Sequence, residues 1–310
     1  MQRICLLTAL LLTPSCGGEE AGTHPAGEVR TPRIAVMAPA GAEMLAAFDM
    51  LDHAVASGDF VGWPPRAARL PRIGPYDAPN LEVLLSLDVD LLVTSYSEAA
   101  RGVHERIRSM GIRVAALSTE TFEQTMEAFH RLGEELEREE AAEDLVAALR
   151  ERIEEVRTGT RDLERRGTLV VVGRRPLYVA GPGSHLDELV RAGGGRNIIT
   201  GGAPYQLVSM EAVLERLPEV IIDLADSRGP KEQPGRGDAW ERWSFLPAVE
   251  RGRVWRVHPE RLSIPGPRLP SMADLVARMI HPDLLGPPGP EALGPLSSAD
   301  TTDLEVLRAP

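Results

Sequence analysis

Residues 80–94, NLEVLLSLDVDLLVT, and residues 209–223, SMEAVLERLPEVIID, are two versions of one pattern. In the first, Leu81, Leu84, Leu85 and Leu87 recur at helical spacing, and Asp90-Leu91-Leu92-Val93-Thr94 reads as a buried strand. In the second, Ser209 caps a helix that runs to Leu217, and Val220-Ile221-Ile222-Asp223 is the buried strand. Each version places an acid, Glu82 or Glu211, in the first helical turn. Each follows a loop with a tyrosine. Gly74, Pro75, Asp77, Pro79 and Asn80 are turn formers around Tyr76, and Tyr205 precedes the second helix. A helix of this kind packs beside its strand, and the loop ahead of it lies at the strand ends, where open α/β sheets bind ligands. Two such edges facing each other make a cleft.

Outward from the first version the same grammar continues. Residues 33–38 predict a strand, residues 42–51 an apolar helix, and Val61-Gly62-Trp63-Pro64-Pro65 a loop with an aromatic. Residues 99–110 predict a helix stopped by Gly111, and residues 112–117 a strand. This is β-α-β-α-β, the order of an open parallel sheet. Around the second version, residues 168–172 and 178–180 predict strands, 185–192 a helix ended by Gly193-Gly194-Gly195, 253–257 a strand and 271–280 a helix. Between the halves, residues 121–162 contain no proline. Phe122, Met126, Phe129, Leu132, Leu136, Leu145, Leu149, Ile153 and Val156 fall mostly at three- and four-residue steps. They predict one amphipathic helix, or two joined near Gly133; a continuous one spans on the order of 60 Å at 1.5 Å per residue.

The expected organisation is a signal peptide (1–15), a tether (16–30), an N-terminal α/β lobe (31–120), a backbone helix (121–162), a C-terminal α/β lobe (163–281) and a Pro/Gly-rich tail (282–310). The fold class is α/β, two Rossmann-like lobes bridged by a single long α-helix.

Composition narrows the function. The chain has 310 residues with a net charge of −12, which argues against a general nucleic-acid binder, since a phosphate-binding surface needs an excess of Lys and Arg. Aromatics make up only 4% of residues, so each Tyr or Trp carries more weight as a ligand contact. Ile4 to Leu12 is an apolar run behind Arg3, of the length of an export signal rather than a transmembrane anchor. It ends at Thr13-Pro14-Ser15-Cys16-Gly17-Gly18, which resembles a bacterial lipoprotein cleavage site with Cys16 as the lipidated residue; cleavage by the ordinary signal peptidase is the alternative. The other cysteine, Cys5, lies inside the signal. A mature chain then holds at most one Cys, which leaves no internal disulfide and no dithiol or multi-thiolate zinc chemistry.

The sequence resembles the substrate-binding proteins of ABC importers for cobalamin, iron–siderophore complexes and haem. The resemblance rests on Arg33-Ile34 through Ala38-Pro39 with Glu43, on LPRIGPYDAPNLEVLLSLDVDLLVT, GPGSHLDELVRAGGGRNI, SMEAVLERLPEVII and GRVWRVHPERLSIPGPRL, in that order around the helical spine. It implies a monomer in the periplasm or on the outer face of the cytoplasmic membrane, held to the membrane only by a lipid on Cys16. It implies no catalysis, no intrinsic cofactor and no nucleic-acid partner. The cargo is a metal chelate (a corrinoid, a ferric siderophore or haem), and the partners are an ABC permease and its ATPase. By family position, Glu82 and Glu211 dock on permease arginines; an exposed first-turn carboxylate suits this, and it also suits simple support of its own helix. By the same transfer Trp63, Tyr76, Tyr96 and Tyr205 line the cargo pocket, flat walls for a macrocycle or catecholate, although each ring also suits ordinary packing. His185 reads as a ligand to a metal centre or a structural group at a helix start. Arg268, with Arg174 and Arg175, reads as a partner for an anionic chelate or as a solvated cation.

Two rivals stand beside this reading. One is a free Zn or Mn carrier of the same architecture, but the seven histidines form no His-rich loop. The other is a sensory binding protein that reports cargo rather than delivering it. For an enzyme, no Gly-x-Ser-x-Gly elbow, P-loop or strand-linked Gly-x-Gly-x-x-Gly is present.

Overall fold

The computed structural model describes residues 32–225 and 238–301. The signal peptide, the tether and Cys16 lie outside the described residues, as does the tail beyond residue 301.

The first lobe runs β1 (Ile34–Val36), α1 (Pro39–Ala47), β2 (Ala54–Ser57), α2 (Pro65–Ala68), α3 (Leu81–Ser86), β3 (Leu91–Ser95), α4 (Arg101–Ser109) and β4 (Arg113–Leu117). Its four strands form one sheet in the order β2-β1-β3-β4, with every pair parallel. Successive residues point to opposite faces of a strand. Ile34, Val36, Leu91, Val93, Ala115 and Leu117 therefore face one apolar core, and Ala35, Leu92 and Val114 face another. A parallel sheet covered on both faces needs such uninterrupted apolar runs. β2 is a strand that the pattern of apolar residues does not announce. Its residues, Ala-Val-Ala-Ser, have little intrinsic strand preference, and its place comes from pairing with β1.

Residues 121–162 form two helices, α5 (Phe122–Leu136) and α6 (Glu139–Gly159), rather than one continuous helix. Thr121 and Gln124 close a reciprocal capping box at the start of α5, which satisfies two otherwise orphaned donors. The helix stops at Glu137, which is left-handed at φ 56°. There the Arg138 N–H reaches back to Gly133 O at 2.8 Å. The fold-back puts α5 against α6 at a point where only glycine fits: a Cβ on Gly133 would lie 2.6 Å from the Ala142 Cβ. At 1.5 Å per residue the 21 residues of α6 span roughly 32 Å. α6 packs on α5, which lies against β4.

The second lobe runs β5 (Arg166–Arg174), β6 (Leu177–Ala180), α7 (His185–Ala192), β7 (Gly195–Asn197), β8 (Tyr205–Leu207), α8 (Met210–Arg216), β9 (Val220–Asp223), α9 (Asp238–Glu241), α10 (Pro247–Glu250), β10 (Val254–Arg256), α11 (Pro259–Leu262) and α12 (Leu269–Ile280). Its sheet has the order β10-β9-β5-β6-β8, with β7 beside the start of β5. β10, β9 and β5 are parallel, while β6 and β8 run antiparallel to their neighbours. The sheet is thus mixed, with a hairpin at Arg174–Leu177 where a helical crossover would otherwise stand. α6 also packs against α7 and α12, so it touches both lobes, and one apolar cluster runs from Ile34 through Phe129 and Leu149 to Val170, Leu189 and Val276.

The described part of the tail is folded. It forms α13 (Pro282–Leu285) and α14 (Pro290–Leu293) and then passes residues 294–297 into a short helical turn, Ser298–Thr301.

Glu137 holds a backbone conformation that carries a steric penalty for any residue with a Cβ, on the order of 1 kcal/mol. Glu137→Gly is expected to raise the stability against urea by about 0.5–1 kcal/mol. An unchanged or lower midpoint would mean that the Glu137 side chain, not the backbone turn, sets the break between α5 and α6.

Candidate functional site

The carboxyl ends of the parallel strands in each lobe carry the loops that the sequence singles out. Asn80 caps α3 by accepting the Val83 N–H at 3.2 Å, and Ser209 caps α8 by accepting the Ala212 N–H at 3.2 Å. Both caps leave the following acid in the first turn, and Glu82 and Glu211 are exposed. A hydrogen bond from its own backbone N–H, then one from Ser209, lowers the pKa of Glu211, so that carboxylate stays charged where it meets solvent.

At the junction of the lobes, the loop after β4 meets the start of α7. The His185 N–H donates to Glu120 O at 3.1 Å, and Thr121 bridges Ser184. The His185 ring is buried. Its Nε2 lies 2.8 Å from Leu262 O, and its Nδ1 lies 2.8 Å from the Tyr205 hydroxyl. A carbonyl oxygen can only accept, so Nε2 carries the proton and Nδ1 accepts from Tyr205. Burial holds the His185 pKa down to about 4, against the raising effect of the hydrogen bonds to the Leu262 and Glu120 backbone. Both ring nitrogens of His185 are thus occupied, which fits the second of its two expected roles, a structural group at a helix start, rather than a ligand to a metal centre.

Tyr205 stacks on Tyr178, with ring centroids 6.3 Å apart and planes 23° from parallel. Burial first, then the Glu120 carboxylate and Tyr178, push the Tyr205 pKa upward, so its phenol stays protonated. Tyr178 is 37% exposed and presents the outer face of this pair. It is an aromatic wall that the sequence reading missed. A β6–β8 pairing, invisible in a three-residue strand, is what brings the two rings together. Tyr76 and Tyr96 are exposed on the first lobe. Tyr96 donates from its hydroxyl to Glu98 at 3.0 Å, and that bond, with the Glu98 charge, raises its pKa. Among the described residues no ring contact joins Tyr76 or Tyr96 to the Tyr178–Tyr205 pair. Phe245, exposed and edge-on to Trp243, is a further aromatic on the second lobe.

Two expected cargo contacts are placed otherwise. Arg268 is buried and forms a two-pronged ion pair with Glu43, Nε to Oε2 at 3.0 Å and Nη2 to Oε1 at 2.7 Å. It also donates to Glu260 O at 3.0 Å. It is a lobe-to-lobe fastening and not a cation held out to an anionic chelate. Trp63 is 4% exposed. The Arg268 guanidinium lies over its ring at 5.2 Å, and its Nε1 donates to Ser297 O at 3.0 Å. In this arrangement the indole is covered rather than lining an open wall. Arg174 donates from Nε to buried Asp223 at 2.8 Å, and Arg175 is exposed at the hairpin tip. Among the described residues no group of three or more His, Cys, Asp or Glu is placed to hold a metal ion, and no helix is long and apolar enough to cross a membrane.

The first lobe's parallel sheet, the second lobe's mixed sheet and the helix α6 that packs against both are the frame in which these side chains stand. The chain belongs to the periplasmic binding protein family, which it matches over residues 34–260. It is 25% identical over 268 residues to a vitamin B12-binding protein of Vibrio cholerae, across 86% of this chain and 92% of that one. In three dimensions it resembles the periplasmic vitamin B12-binding protein of Vibrio cholerae, with a TM-score of 0.65 and 23% identity over 81% of this chain and 97% of the other. It also resembles a periplasmic haem-binding protein of the same organism, with a TM-score of 0.68 and 20% identity over 80% of this chain and 99% of that one. These relatives are binding proteins, not enzymes.

His185 makes the fold sensitive to acid. An unfolded histidine titrates near 6.5, so between that pH and about 4 the unfolded chain binds the proton and the folded one does not. Stability is therefore expected to fall by about 3 kcal/mol as the pH drops through that window. Urea unfolding of the parent and of His185→Gln should show a shallower slope in the variant. His104 and His281, which burial also holds low, contribute to the slope that remains, as do carboxylates held low in the fold, Glu123 and Asp283 among them, at its acid end. An unchanged slope would contradict the buried neutral ring.

Proposed function

We propose that this protein is an extracytoplasmic substrate-binding protein that delivers a metal chelate, of the corrinoid, haem or ferric siderophore class, to an ABC importer. The observation that carries this reading is the family match across both lobes, with relatives that bind vitamin B12 and haem. The chain's own residues support it. The face of the Tyr178–Tyr205 pair, with Tyr96 and Tyr76 on the first lobe, offers flat apolar surface with hydroxyls at its edges, suited to a planar or disc-shaped ligand. A polar chelate with a large apolar face gains from stacking, and the Tyr205 and Tyr96 hydroxyls already have partners in His185 and Glu98.

The proposal places the protein outside the cytoplasmic membrane as a non-catalytic monomer with no resident cofactor, anchored through Cys16 if that residue is lipidated. Delivery needs a docking surface on each lobe, and Glu82 and Glu211 fit it. Each is an exposed carboxylate at the start of a helix in equivalent positions of the two lobes, free to take a bidentate arginine.

Titration with cyanocobalamin, haemin and a panel of ferric siderophores, followed by ligand absorbance and tyrosine–tryptophan quenching, should give micromolar or tighter saturation by one of them. Saturation by none of them would overturn the cargo class. Glu82→Lys with Glu211→Lys should leave that affinity unchanged and lower uptake in cells roughly tenfold or more. Normal uptake with both charges reversed would remove them from the docking surface.

A further inference from the structure

Beyond residue 260, where the family match ends, the chain returns across the molecule. Residues 286–301 leave the second lobe, run past the end of β10 and reach the first lobe at Trp63. Their polar hold on the second lobe centres on one arginine. Arg261 donates from Nε to Gly294 O at 2.8 Å and from Nη2 to Glu291 O at 2.9 Å and Pro295 O at 3.0 Å, and it pairs through Nη1 with Asp300. The His258 N–H adds a bond to Leu293 O at 2.7 Å. On the first lobe the hold is Trp63, whose Nε1 donates to Ser297 O and whose ring, beside Ala46 and Leu51, packs against Leu296. Asp300 braces the turn between the two holds by accepting from the Ser297 N–H at 2.6 Å and its hydroxyl at 2.9 Å.

The segment joins the main apolar core through buried Leu293. Its apolar anchors are Leu293 and Leu296. Beneath it, against α12, a cavity of about 610 Å³ separates it from Met272, Leu275 and Arg278. Its remaining contacts are mostly hydrogen bonds from the charged Arg261 to carbonyls, each worth about 1.5–3 kcal/mol net, with the Arg261–Asp300 ion pair beside them. Pro287, Pro288, Pro290 and Pro295 restrict the released chain, so re-forming these contacts loses less conformational entropy than it would for a flexible segment.

We propose that residues 286–301 are a releasable latch, fastened to the second lobe at Arg261 and to the first at Trp63, and that cargo reaches Trp63 only when the latch lets go. The proposal rests on the cargo-binding reading above. It reconciles a tryptophan expected in the pocket with one found covered.

The test weakens the latch in the full chain. Leu296→Ala with Asp300→Ala removes its first-lobe apolar anchor and its brace, and Arg261→Gln independently weakens the second-lobe hold while Leu293 stays in place. Acrylamide quenching without cargo, compared in each case with the same chain carrying Trp63→Phe, isolates the Trp63 signal. Circular dichroism confirms that the lobes remain folded. In both released chains Trp63 is expected to become several-fold more quenchable. The association rate for the chelate identified by titration should rise several-fold, with a smaller change in dissociation. Trp63 equally protected in the parent and both released chains would overturn the latch. Trp63 exposed with an unchanged association rate would overturn its control of entry. If the parent binds none of cyanocobalamin, haemin or the siderophores, the cargo-binding reading fails, and the quenching comparison still decides the latch.

Discussion

The ion pair between Glu43 and Arg268 is the constraint on which the arrangement of the lobes depends. Glu43 projects from α1, in the first lobe, and Arg268 stands at the start of α12, in the second. Both are buried, and the pair is bidentate. Two charges removed from water are tolerable only when their geometry is good and their remaining donors are satisfied. Here the arginine also donates to Glu260 O. Losing either partner leaves an uncompensated buried charge, an expense of about 3–5 kcal/mol, so the two elements are held in one register. The same guanidinium lies over Trp63, which ties the latch to the pair.

A second joint ties the lobes elsewhere along the chain. There the loop after β4 meets the start of α7, through the bond from His185 to Glu120 O and the Thr121–Ser184 bridge. α6 packs on α5 in one lobe and on α7 and α12 in the other, with a shared apolar cluster along it. Between these fixed points the lobes have little freedom to swing. On the proposed function, a protein built this way selects its ligand by shape and chemistry with little domain motion. That suits a rigid disc-shaped chelate, whose own ordering on binding is slight.

Much of the fold was legible because parallel strands buried on both faces must be continuous apolar runs. Val220–Asp223 and His185–Ala192 stand where the pattern puts them, and Asn80 and Ser209 cap as their types suggest. What was not legible depends on tertiary context. β2 is alanine and serine with one valine, and pairing alone makes it a strand. A break near Gly133 was one of the two readings the sequence offered, but its left-handed residue was not legible: no glycine or asparagine stands there, and Glu137 takes that place where Gly133 lets the next helix fold back against Ala142.

The site was legible in part. A tyrosine beside a strand end is visible in sequence, and Tyr96 and Tyr205 are there. Which tyrosine stacks on which is not visible, so Tyr178 was missed. Nor does sequence reveal that an arginine is already spoken for. Arg268 and Glu43 are 225 positions apart, and only the fold turns an apparent anion contact into a clasp. The most direct measurement of the account is small-angle X-ray scattering of the purified protein, with and without a chelate shown by absorbance to be saturating. Lobes clasped at Glu43–Arg268 and bridged by α6 predict nearly superimposable curves, since latch release moves one short segment. A marked compaction on binding would show that the lobes close by a large hinge motion and would contradict the clasped arrangement.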